Sequence, residues 1–165
     1  MYEDFYKLTG KPFQLSPDPA FYFGSKGHKS ALSYLKYGVY QGEGFLVITG
    51  DIGTGKTTLV RALLNELDTR EVVAAQIVST QIDADDLLRS VATAYGVRAR
   101  LDGKVELIAT IEAFLLMTFQ EGKRALLVVD EAQNLGARSL EELRMLSNFQ
   151  CGDNALLQSF LIGQP

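Results

Sequence analysis

The residues Gly50-Asp51-Ile52-Gly53-Thr54-Gly55-Lys56-Thr57 follow the spacing G-x-x-x-x-G-K-[ST]. Glycines at these positions let the main chain turn with successive N–H groups facing inward. A helix beginning at Lys56 adds the positive end of its dipole, so the stretch suits a bound phosphate. Lys56 would reach the β- and γ-phosphates of a nucleotide such as ATP, and the Thr57 hydroxyl would hold Mg²⁺. Asp51, Ile52, Gly53, Thr54, Gly55, Lys56, Thr57 and Thr58 are therefore the candidate nucleotide ligands. A glycine-rich turn that matched by chance would lack a strand before it and a helix after it, and both are expected here.

The second chemical signal is Leu126-Leu127-Val128-Val129-Asp130-Glu131. An apolar strand ending in a carboxylate delivers that carboxylate to the rim of the sheet, where ligands bind in open α/β folds. Asp130 would bind the metal ion through water, on the ion that Thr57 holds, and Glu131 would orient or deprotonate an attacking water. The alternative for the pair is to cap the next helix or face solvent. A Glu beside the Asp favours hydrolysis over phosphoryl transfer to another acceptor, since a kinase must keep water from the γ-phosphate.

These residues need elements to position them. Phe45–Thr49 is a short apolar run rich in strand formers, and Lys56–Leu67 after the glycine loop reads as a helix. Val72–Ser79 is a second strand, and Asp83 is a plausible N-cap for a helix continuing to Gly96. A further helix runs from Val105 to Phe119, and Ala125–Asp130 is the third strand. Ser139 with Glu142 three residues on reads as a capping box, opening a helix with Leu140, Leu143 and Leu146 on its inner face. Leu156–Ile162 is a fourth apolar segment. Before all of these, residues 1–27 form an aromatic, Pro- and Gly-rich arm, followed by a helix from His28 to Gln41 that Gly42-Glu43-Gly44 stops. His28 reads simply as a helix-start residue. Strands alternating with helices predict an α/β fold with a parallel sheet covered on both faces.

Composition agrees with one globular domain: 165 residues, 47% hydrophobic and 22% charged. The single cysteine, Cys151, excludes an internal disulfide framework, and one Cys with one His cannot build a zinc cluster. No run approaches the ~18 apolar residues that cross a bilayer. The start, Met1-Tyr2-Glu3-Asp4-Phe5, has no signal-peptide pattern, so a cytoplasmic protein is expected. With 16 basic against 20 acidic residues and a net charge of −4, nothing in the overall balance favours nucleic acid.

Several further stretches carry a family resemblance: Tyr2-Glu3-Asp4-Phe5-Tyr6, Gly10-Lys11-Pro12-Phe13, Ser16-Pro17-Asp18-Pro19, Asp130-Glu131-Ala132-Gln133-Asn134-Leu135, Leu143-Arg144-Met145-Leu146-Ser147-Asn148-Phe149 and Leu161-Ile162-Gly163-Gln164-Pro165. With the phosphate loop, they make the chain resemble the AAA+ ATPases related to general secretion pathway protein A, the ExeA-like group. It is particularly similar to the secretion ATPases of PEP-CTERM/exosortase loci and exopolysaccharide production.

The resemblance implies a three-layer P-loop NTPase sandwich of the ASCE type, with strand order 5-1-4-3-2. Residues 1–44 would be arm and first helix, and 45–165 the core. The chain is expected to stop after the fourth core strand, without the fifth strand and helical lid, leaving Phe45–Thr49 as an open apolar edge. Gln164 would sense the γ-phosphate. Ser79 or Thr80 would restrain the catalytic Glu, or be an ordinary strand-end hydroxyl. Arg144 would meet a neighbouring subunit's nucleotide, or face solvent. Phe21, Tyr22 or Phe23 would pack on the adenine, or cover the core.

The implied function is Mg-ATP hydrolysis by a homo-oligomer serving a secretion or polysaccharide-export machinery, with any contact at the inner face of the membrane made through partners. A nucleotide-regulated, DNA-targeting adaptor resembling transposition ATPases is the alternative.

Overall fold

A computed structural model of the chain describes residues 2–8, 23–42, 44–79, 83–97 and 103–165. A short helix, α1 (Tyr2–Phe5), stands within the arm expected to be irregular. Phe21, Tyr22 and Thr80 lie outside the described residues. Helix α2 (Lys26–Gln41) starts at Ser25, whose hydroxyl oxygen accepts from the His28 N–H, and ends at Gly42, where φ of 69° closes the last turn in a conformation glycine adopts without strain. Strand β1 (Phe45–Thr49), helix α3 (Lys56–Glu66) and strand β2 (Val72–Val78) follow. Helix α4 (Ala84–Ala94) is capped by the Asp83 carboxylate on the Asp86 N–H, as its sequence indicates. Then come α5 (Lys104–Gln120), β3 (Arg124–Asp130), a 3₁₀ turn (Ala132–Asn134) and α6 (Ala137–Ser147). A small antiparallel hairpin, β4 (Gln150–Cys151) and β5 (Asn154–Ala155), leads into β6 (Leu157–Gly163).

The sheet has the order β1-β6-β3-β2, every pair parallel. This matches the 1-4-3-2 part of the implied order. Because side chains alternate along a strand, β3 serves two cores at once. Ala125, Leu127 and Val129 join Leu87, Leu88 and Val91 of α4, Ile111 and Leu115 of α5, and Leu143 and Leu146 of α6. Leu126 and Val128 turn the other way, with Phe160 and Ile162 of β6, onto Leu35 and Val39 of α2 and Leu59, Val60 and Leu63 of α3. The result is a three-layer sandwich of the P-loop NTPase fold. Each fully buried Leu or Ile in it contributes about 1.5–3 kcal/mol relative to exposure, which holds the strand ends in place beneath the site.

Helix α6 departs from its sequence reading. Gly136 is its N-cap, in extended backbone, and Ser139 is buried inside the first turn rather than capping it. Glu142 does not close a capping box; it pairs with Lys104 at the start of α5. The buried stripe is Ser139, Leu143, Leu146 and Ser147, spaced as one helical face. Leu140 lies a residue off that stripe and is 42% exposed.

Candidate functional site

With all four strands parallel, their C-terminal ends share one edge of the sheet, and the predicted chemistry collects there. The loop after β1 turns through Gly53 (φ 80°) and Gly55 (φ 84°), a conformation that would strain other residues. Gly55 is the N-cap of α3, with no side chain accepting from the first-turn N–H groups and no acidic residue in that turn. Those N–H groups and the dipole's positive end therefore face the loop's interior as an anion site. The loop is braced internally: Thr54 Oγ1 donates to the Asp51 carbonyl at 2.8 Å. The Lys56 ammonium donates to the Gly50 and Asp51 carbonyls at 2.6 and 2.9 Å, so it already lies across the loop's mouth.

Asp130, at the end of β3, is buried. One carboxylate oxygen accepts from the Thr57 hydroxyl at 2.9 Å, and the other accepts from the Glu131 N–H at 2.9 Å. That second bond accompanies a sharp turn, for Glu131 has φ of 55°, a left-handed conformation costing a non-glycine residue about 1–3 kcal/mol. Its carboxylate accepts from Gln133 Nε2 at 2.5 Å. The Gln133 Oε1 in turn accepts from the Gln164 N–H at 3.1 Å. Gly163 permits this approach, because a Cβ there would lie 3.1 Å from that same Oε1.

A cleft of about 580 Å³ is lined by Ile52, Gly53, Gly55, Lys56, Thr57, Thr58, Asp130, Glu131, Gly163 and Gln164. Nine residues anticipated from sequence thus share one space. Asp51 and Thr54 are exposed: the Asp51 carbonyl accepts from Thr54 Oγ1 and the Lys56 ammonium within the loop, while the Thr54 carbonyl faces His28 of α2. The donor set fits magnesium. Thr57 Oγ1 and Asp130 Oδ2 are hard oxygens held together, and among the described residues no cluster of three or more His, Cys, Asp or Glu competes as a cage. A magnesium ion that shares its coordination with phosphate oxygens and water requires no more from the protein.

Ser79 does not restrain Glu131: its hydroxyl is buried with no partner among the described residues, and its main chain bonds Asp130 and Asn134 instead. The carboxylate is held by Gln133, which the sequence offered only as one residue of a resembling stretch. Arg144 is exposed and forms a two-pronged pair with Glu141, the solvent-facing alternative, and that carboxylate raises the guanidinium's pKa further. Phe23 covers no core, being 84% exposed. His28 does start a helix, but it also reaches the loop, its Nε2 lying 2.9 Å from the Thr54 carbonyl. No spacing rule marks either Gln133 or His28.

A strand, a glycine loop and a helix dipole, facing an acidic strand end across one cleft, define a P-loop NTPase. The AAA domain family model matches residues 39–165, and the chain belongs to that family. It is 40% identical, over 166 aligned positions, to General secretion pathway protein A of Aeromonas hydrophila, a match covering 100% of this chain and 30% of that protein. The chain thus spans under a third of that relative's length. Among solved structures it is similar to the Aeropyrum pernix ORC2 protein. The ADPNP-ADP complexes give a TM-score of 0.65 at 16% identity, covering 95% of this chain and 43% of that one. The ADP form gives 0.63 at 17%, covering 98% and 45%. At such identity the likeness shows the fold alone. Among the described residues, no helix is long and apolar enough to cross a membrane.

Proposed function

We propose that the cleft binds Mg-ATP and that the protein hydrolyses it by in-line attack of water. The observation that carries this reading is the Thr57–Asp130 contact of 2.9 Å, which joins the phosphate loop to the acidic strand end in one cleft. In this scheme Lys56 exchanges its loop carbonyls for β- and γ-phosphate oxygens, and the inward N–H groups with the N-terminus of α3 hold the charge that develops. Bound Mg²⁺, held by Thr57 and Asp130, would supply further neutralisation of the phosphates. Glu131, oriented by Gln133, accepts the proton of the attacking water. Gln164, at the rim beside Glu131, is the group that meets the γ-phosphate. An exposed Phe23 ring leaves an aromatic face for the base.

Full turnover in this proposal requires an arginine from a neighbouring copy in a homo-oligomer, a contribution worth about 10³–10⁵ in rate. The biological role proposed is energy or regulatory supply to a secretion machinery, specifically the PEP-CTERM/exosortase and exopolysaccharide type, with any inner-membrane contact made through partners. Support for the general part is the identity to General secretion pathway protein A along the whole chain.

The test is nucleotide affinity and turnover of the chain and two variants. Lys56→Ala should abolish detectable Mg-ATP binding. Glu131→Gln should bind as the parent does while any hydrolysis falls by about 10²–10⁴-fold, the usual worth of a general base. Parental affinity in Lys56→Ala would defeat the proposal.

A further inference from the structure

His28, the third residue of α2, stands between two hydrogen bonds whose directions can be assigned. Its Nε2 lies 2.9 Å from the Thr54 carbonyl oxygen and its Nδ1 2.7 Å from Ser25 Oγ. A carbonyl only accepts, so Nε2 carries the hydrogen and donates it. In a neutral imidazole protonated at Nε2 the other nitrogen accepts, so the Ser25 hydroxyl donates to Nδ1 while its oxygen accepts from the His28 N–H at 3.3 Å. The helix cap thereby fixes the ring, and the ring fixes a carbonyl of the phosphate loop.

That carbonyl matters because of what lies across its peptide plane. The Thr54 C=O and the Gly55 N–H belong to one rigid trans unit and point in opposite directions. Gly55, which lines the cleft, has φ of 84°, and glycine accepts either sign of φ at little cost, so the plane is not locked by its own residues. The imidazole abuts this point closely: a Cβ on Gly55 would lie 3.3 Å from His28 Nε2.

We infer that His28 is a positioning residue for the nucleotide site: by donating to the Thr54 carbonyl from outside the loop, it holds the Gly55 N–H turned inward toward the phosphates. Triphosphate affinity then depends on the Ser25–His28 segment, which lies ahead of the sheet in sequence. The inference rests on the nucleotide-binding reading above.

The test compares Mg-ATP and Mg-ADP affinity, by calorimetry, for the parent chain, Lys56→Ala, His28→Ala, His28→Asn and His28→Gln, with the Gly55 amide resonance followed in each. A glutamine side chain carries an N–H at the reach of Nε2, whereas asparagine reaches only as far as Nδ1. His28→Ala and His28→Asn should bind both nucleotides about tenfold more weakly, the worth of one aligned hydrogen bond. His28→Gln should restore affinity, and the Gly55 amide should shift in the first two variants and return in the third. If the alanine variant does not fold, the Gln-against-Asn comparison carries the test. Equal affinities in folded His28→Asn and His28→Gln, or an unmoved Gly55 amide, would overturn the inference. Failure of the parent chain to bind Mg-ATP would instead defeat the nucleotide reading, and the Gly55 resonance would still decide whether His28 sets that peptide.

Discussion

Asp130 engages both carboxylate oxygens within the chain, one on Thr57 and one on the Glu131 N–H. Its orientation is therefore set by bonds to two elements rather than by its own rotamer preference. Tyr95 is the opposite case. Its ring packs on Phe114 at 5.1 Å between centroids, yet its buried hydroxyl has no partner among the described residues, and burial drives its pKa far above the ordinary phenol value. A buried donor left unmatched costs about 1–3 kcal/mol, whereas the ring contact survives its removal. Tyr95→Phe should therefore be neutral to about 1 kcal/mol more stable, read as a higher urea midpoint with unchanged slope. A lowered midpoint would mean that the hydroxyl is bonded in solution.

Helix α2 illustrates how an element is held against the sheet. Its C-terminal carbonyls receive side-chain donors from two strands: Arg124 of β3 donates to Val39 and Tyr40, at 3.1 and 2.6 Å, and Gln158 of β6 donates to Gly38 at 2.7 Å. A cation at a helix C-terminus also complements its dipole. Arg124→Ala should cost about 1–3 kcal/mol and speed amide exchange in the last turn of α2, with β2 and β3 unaffected. Exchange unchanged at Tyr40 and Gln41 would show the cap to be inert. Element boundaries were legible where local chemistry decides them, as at Asp83 and Gly42. At α6 the Ser139–Glu142 spacing matched a capping box, but tertiary packing took Ser139 into the core and gave Glu142 to Lys104.

For the molecule as a whole, the sheet's open side is the most consequential feature. Strand β1 pairs only with β6 among the described strands, and Phe45 and Val47 are 40% and 63% exposed. An apolar strand edge with unpaired main-chain groups is a template for another chain. The chain is expected to self-associate with rising concentration, and Val47→Lys should suppress this in light scattering while leaving the melting temperature nearly unchanged. Identical association in that variant would exclude the β1 edge as the contact.

The sequence by itself determined the phosphate loop, the acidic strand end and the α/β class. Each is written in a contiguous stretch whose turn chemistry or apolar period acts locally. Only the tertiary structure decided which distant groups meet: Thr57 with Asp130, Gln133 between Glu131 and Gln164, and His28 on the Thr54 carbonyl. Those meetings follow from the order β1-β6-β3-β2 and from the packing of α2 on the sheet through Leu35 and Val39. Both are settled by burying two apolar faces at once, a condition on the whole chain that no short motif records.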